Sequence, residues 1–170
     1  MPSETEIVEA QIGRPVERET FIAAKCHLGL PVVVGGSATL VDGRPFPTRY
    51  WLSCPLAVKR IGQLESEGAV KLLDQRIKDD VDFASAVSQS HDEHDDSVNS
   101  TDRRGIGGTR NSVKCLHSHA AYQLAGGASP VGQWTLAAIG ELDCGIPCVV
   151  DSAEGEGCQR NPEWTKSSSK

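Results

Sequence analysis

The sequence predicts an α+β fold, a small N-terminal antiparallel sheet packed against a C-terminal set of about four to five helices. Two patterns lead there. Short apolar runs bounded by Gly and Pro crowd residues 21–53, and beyond Pro55 apolar residues recur every three or four positions. Strands come first and helices after, which is the order of a segregated α+β protein rather than of alternating βαβ units.

Taken along the chain, Ile7, Val8, Gln11 and Ile12 lie at helical spacing between Ser3, an N-cap residue, and Gly13, a stop. Phe21–Cys26, Pro31–Val34, Ala38–Val41 and Thr48–Ser53 read as strands, with Asp42-Gly43 as a hairpin turn before the last. Pro55 suits the first turn of a helix carrying Val58, Ile61 and Leu64 as far as Gly68. Val70, Leu73, Ile77, Val81, Ala84 and Val87 continue at helical spacing, with Asp79 and Asp80 as a point of division. The run His91-Asp-Glu-His-Asp-Asp96 reads as a solvated charge cluster. Helices are expected over 113–124 and 131–142.

The sequence has 170 residues, enough for one domain that buries roughly 68–70% of its unfolded surface without disulfide staples. That domain is expected over residues 1–150. Ser, Glu, Gly and Lys dominate from Asp151, so 151–170 is expected to be a disordered tail. With 23 acidic and 17 basic side chains the formal charge is −6, which works against broad nucleic-acid binding. No apolar window reaches the length of a membrane span. No basic stretch followed by an apolar core opens the chain, so a cytoplasmic location with reduced thiols is expected.

Six cysteines then need a role other than bridging: Cys26, Cys54, Cys115, Cys144, Cys148 and Cys158. Zinc takes four thiolate or imidazole ligands in tetrahedral geometry. Cys26 and Cys54 close candidate strands whose ends can meet, and Cys115-Leu-His-Ser-His119 can dock beside them, with His27 next to Cys26. On a helix at 100° per residue, Cys115 and His119 share a face and His117 lies toward the apolar side. The bland alternative is a set of small core thiols. Cys144-Gly-Ile-Pro-Cys148 is a weaker candidate, because its spacing departs from Cys-x-x-Cys.

Gly105-Ile-Gly-Gly-Thr-Arg110 precedes a helix and can bring backbone N–H groups close to an anion. Gly107, Gly108, Arg110 and Lys114 would then hold a phosphate, with His117 as acid/base or Cys115 as nucleophile. The competing reading is a flexible turn capped by Asn111 or Ser112. Whether the protein is an enzyme stays open on these residues.

Gly43-Arg-Pro-Phe-Pro-Thr48, Tyr50-Trp-Leu-Ser-Cys-Pro55, Leu64-Glu-Ser-Glu-Gly68, Val113-Lys-Cys-Leu-His117 and Pro130-Val-Gly132 occur in this order. With them the chain resembles the "domain of unknown function 501" family of bacteria, mainly actinobacteria, from about Ile7 to about Cys148. The resemblance implies a small cytoplasmic protein without an assigned activity. Its members' genes lie near those for enolase, a septum-formation initiator and an exopolyphosphatase-type phosphatase. That implies a cell-division protein or a small phosphorylated ligand as partner. The family's Arg-Cys-Pro-Cys-Gly falls on Lys25-Cys-His-Leu-Gly29, so its second Cys is missing at Leu28. Its Lys-Cys-Leu-His falls on Lys114 to His117, which favours His117 over His119 as a partner for Cys115. The resulting expectation is a zinc site at Cys26, Cys54, Cys115 and His117, with His27 and His119 as substitutes.

Overall fold

A computed structural model describes residues 1–167 apart from Pro45 and Pro47. Helix α1 (Glu4–Ile12) starts at a capping box, in which the Ser3 hydroxyl takes the Glu6 N–H and the Glu6 carboxylate takes the Ser3 N–H. It ends at Gly13, whose φ of 73° is left-handed. Strands β1 (Thr20–Lys25), β2 (Pro31–Gly36) and β3 (Tyr50–Leu52) form an antiparallel sheet in that order. Val34 is opposite Ile22 on one side and Trp51 on the other. Every residue of β2 is buried, as expected of a central strand.

Ala38–Val41, expected as a strand, forms only an irregular loop. Its amides are divided between partners: Leu40 N–H donates to Arg44 and Val41 N–H to Glu17, so no continuous ladder can grow. The turn at Asp42-Gly43 is present, with Gly43 at a φ of 84°.

Helices α2 (Pro55–Ser66), α3 (Ala69–Asp79), α4 (Val81–Ser97), α5 (Leu116–Leu124) and α6 (Pro130–Ile139) follow, α5 and α2 packing on β3 and the others on these two and on one another. The division between α3 and α4 falls at Asp80, whose carboxylate caps α4 by accepting the Phe83 N–H at 3.0 Å. The core runs from Val33 and Leu52 through Ala57, Ile61 and Leu73 to Val113, Leu116, Ala120 and Val131. Helices α5 and α6 pack closely at Gly132, where a Cβ would stand 2.4 Å from the His119 carbonyl oxygen.

Two expectations are corrected. The His91–Asp96 run is no solvated cluster: it forms the C-terminal half of α4, and its inner face buries His91, His94 and Asp95. Only the outer face (Asp92, Glu93, Asp96) meets solvent. Residues 151–167, read from composition as tail, complete a hairpin of β4 (Val149–Asp151) and β5 (Cys158–Arg160) and then form α7 (Pro162–Ser167). Trp164 buries its indole in the common core, which holds this segment down. Ser168 to Lys170 lie outside the described residues. Among the described residues, no helix is long and apolar enough to cross a membrane.

Candidate functional site

Helix α5 starts at Leu116, three residues later than periodicity suggests, and this displacement builds the site. Lys114 adopts a left-handed φ of 58°, and Cys115 is the extended N-cap residue at φ −144°, ψ 112°. Cys115 therefore does not share a helical face with His119. Its sulfur meets the first turn instead. The ligand atoms of Glu65, Cys115 and His117 all lie within 4.8 Å of one another, the one such group of three among the described residues.

Glu65, near the end of α2, connects the parts. Its Oε1 accepts the Leu116 N–H at 2.7 Å and lies 3.2 Å from His117 Nδ1. A carboxylate at the start of α5 also suits the positive end of the helix dipole. The other ring nitrogen, His117 Nε2, is 3.2 Å from the Val58 carbonyl oxygen. A carbonyl only accepts, so Nε2 carries the proton, and Nδ1 is the nitrogen that faces Glu65 and Cys115. A backbone carbonyl fixing the far nitrogen of an imidazole is the usual outer support of a histidine that binds metal through the near one.

Electrostatics couple the pair further. Burial pushes the Cys115 thiol up, but hydrogen bonds from His117 and from the Ser118 hydroxyl and amide outweigh it, and the thiol falls below its ordinary value. His117 moves the other way, to about 9, through its hydrogen bond to Cys115, against burial and with help from the Val58 carbonyl and Glu65. Without metal, the hydrogen bond between them therefore favours the charged form of each group. They open onto a cleft of about 410 Å³, also lined by Arg14, Arg18, Trp51 and Ser118.

The four residues expected to share one zinc do not come together. Cys115 and His117 line this cleft, whereas Cys26 and Cys54 line a separate small void with Cys144 and Cys148. Neither substitute joins the Cys115 group. His27 is exposed, with Nε2 2.9 Å from the Cys144 carbonyl oxygen, and His119 is fully buried, with Nδ1 3.0 Å from the Ser129 hydroxyl.

The Gly-rich loop already cradles an anion, and that anion is Asp95. The Gly105 N–H donates to both Asp95 oxygens at 3.1 and 3.0 Å, and Arg110 Nη2 reaches Asp95 Oδ2 at 2.8 Å and Asp92 at 2.9 Å. The Ile106 N–H donates to His91 Nδ1 at 3.0 Å. Of the expected phosphate binders, Arg110 is thus committed internally. Gly107 and Gly108 form a short 3-10 turn beside Ser118, and Lys114 is exposed behind the start of α5.

Glu65 was missed in the sequence. It stands 50 residues before Cys115, and its only signal was a place in the Leu64–Gly68 motif. The family model described as "Protein of unknown function (DUF501)" matches residues 22–98 and 93–137, and the chain belongs to this family. Glu65, Cys115 and His117 lie within the matched residues. No curated protein and no solved structure matches the chain.

Proposed function

We propose that the protein binds a metal ion, zinc by ligand type, through Glu65, Cys115 and His117 in an open, three-ligand site. The observation that carries the reading is the convergence of carboxylate, thiol and Nδ1 within 4.8 Å, with Nε2 tied to a backbone carbonyl. Carboxylate, imidazole and thiolate all suit zinc, and three protein ligands leave a fourth position for water or substrate. Bound there, zinc would lower the pKa of a water or polarise a substrate oxygen. The cleft in front admits a small molecule, with Arg14 and Glu17 on its wall and Arg18 donating to the Ser37 and Thr48 carbonyls.

A second reading takes the same residues without metal, as an enzyme with Cys115 as nucleophile, His117 as its partner and Glu65 as orienter, acting on a phosphorylated small molecule. The hydrogen bonds of Ser118 to Cys115 favour it. Elemental analysis of protein purified without chelator separates the two. On the metal reading, a Cys115→Ser, His117→Ala variant carries about one zinc equivalent fewer than the wild type. Equal zinc in both proteins ends that reading. Alkylation of Cys115 in metal-free wild type at a pH below that needed for an ordinary thiol then supports the nucleophile.

A further inference from the structure

We propose that Cys26, Cys54, Cys144 and Cys148 form a second, closed site for a thiophilic divalent cation, zinc by preference, which staples the C-terminal segment to the sheet. The four thiols come from three distant stretches and line one small, partly open void of about 10 Å³, the space of a single water-sized sphere. Cys26 follows β1 in a tight turn closed by Gly29 N–H to Cys26 O and Cys26 N–H to Leu30 O, both at 2.9 Å. Cys54 is the N-cap residue of α2, and its side chain makes no capping hydrogen bond to the helix amides. Cys144 and Cys148 flank Gly-Ile-Pro in the loop before β4.

The surroundings are those of sulfur ligands. Gln11 Nε2 donates to Cys148 Sγ at 3.5 Å, and Trp164 Nε1 donates to Cys144 Sγ at 3.4 Å. Side-chain N–H donors of this kind are the hydrogen bonds that orient sulfur ligands around a cation. The loops are pinned as well: the Cys144 carbonyl oxygen is 2.9 Å from His27 Nε2, and the Cys148 carbonyl accepts the Asn161 N–H at 2.9 Å. The rest of the lining is mostly apolar, including Leu28, Leu30, Pro31 and Leu142, with no carboxylate or imidazole. That composition suits a soft cation and rejects magnesium or calcium, which need oxygen.

A tetrahedral zinc with Zn–S near 2.3 Å holds its sulfurs about 3.8 Å apart. No three of these sulfurs lie within 4.8 Å of one another, so closing the site draws the thiols inward onto the void. Four thiols lose their protons as the cation binds, and no oxidant or reductant is needed.

The inference is independent of the Glu65–Cys115–His117 reading, and one protein separates them. The Cys115→Ser, His117→Ala variant of the full chain, purified without chelator, is expected to keep one zinc equivalent. Its X-ray absorption spectrum should show a shell of sulfur alone. Adding Cys54→Ser and Cys144→Ser should remove that zinc. Zinc-free protein, a shell containing nitrogen or oxygen, or a Cys144–Cys148 disulfide found by mass spectrometry would overturn the site. Should the variant fail to fold, wild type is used in its place. A zinc-edge spectrum then averaging no more than one sulfur per zinc would overturn the site, and one averaging at least two and a half would support it.

Discussion

Lowering the pH from 7 to 5 is expected to cost the fold about 4 kcal/mol through two histidines, His91 and His119. Both are almost wholly buried, 3% and 0% exposed, with their rings 5.7 Å apart. Burial favours the neutral form of both. His91 Nδ1 accepts the Ile106 N–H, and His119 Nδ1 lies 3.0 Å from the Ser129 hydroxyl, which can donate to it while accepting the Gly132 N–H. Burial, then Arg110, lowers His91 to about 4, although Asp95 and Asp92 oppose the shift. Burial, then His91 and His94, lowers His119 to about 3.

The sign follows from linkage. A base whose folded pKa is depressed gives stability that is complete above its unfolded value near 6.5 and is lost as the pH falls toward the folded value. At pH 5 the unfolded chain binds nearly two more protons at these rings than the folded one, about 2 kcal/mol each. Urea unfolding at pH 7 and pH 5 measures the loss, and a His91→Gln variant should show roughly half of it. Equal stability of the wild type at the two pH values would remove the argument.

The second large effect is expected at Trp164. Replacing it with Ala should destabilise the protein by about 3–5 kcal/mol, as removal of a buried indole does. The indole is 6% exposed, belongs to the same core as Val33 and Leu116, donates to Cys144 and lies under the Arg160 guanidinium at 5.5 Å. Trp164→Phe keeps most of the ring and should cost far less, on the order of 1 kcal/mol for the lost hydrogen bond and shape. Truncation after Val150 should be at least as damaging as Trp164→Ala, because it also strips β5 from β4. If Trp164→Ala changed the urea midpoint by less than the Phe variant, residues 151–167 would not be part of the cooperative unit.

The sequence showed much of the scaffold and only part of the site. α1, the strands β1 and β2 and the split at Asp80 were legible because each depends on neighbours in sequence, namely caps and short apolar runs between Gly and Pro. Asp42-Gly43 pointed to a hairpin of 38–41 with 48–53, whereas β3 pairs with β2 instead. The burial of His91, His94 and Asp95 was not, because a run of six polar residues gives no apolar phase. Its compensation comes from Arg110 and the Gly105 amide. Pairing of Cys115 with His117 was legible from the resemblance but not from periodicity, which assumed a helix through residues 113–115 that the left-handed Lys114 prevents. Glu65 and the meeting of Cys26 and Cys54 with Cys144 and Cys148 are tertiary facts. Nothing local encodes them.

Helix α2 has Cys54 at its head and Glu65 in its last turn, with the Val58 carbonyl between. Eleven residues of α-helix span about 16 Å of stiff rod. A rod cannot roll at one end alone, so a change that turns Cys54 about the helix axis also turns the carboxylate that meets His117. If both proposed sites take a cation, occupancy at the thiol end would alter affinity at the cleft end through this rod, and the reverse effect would have the same factor.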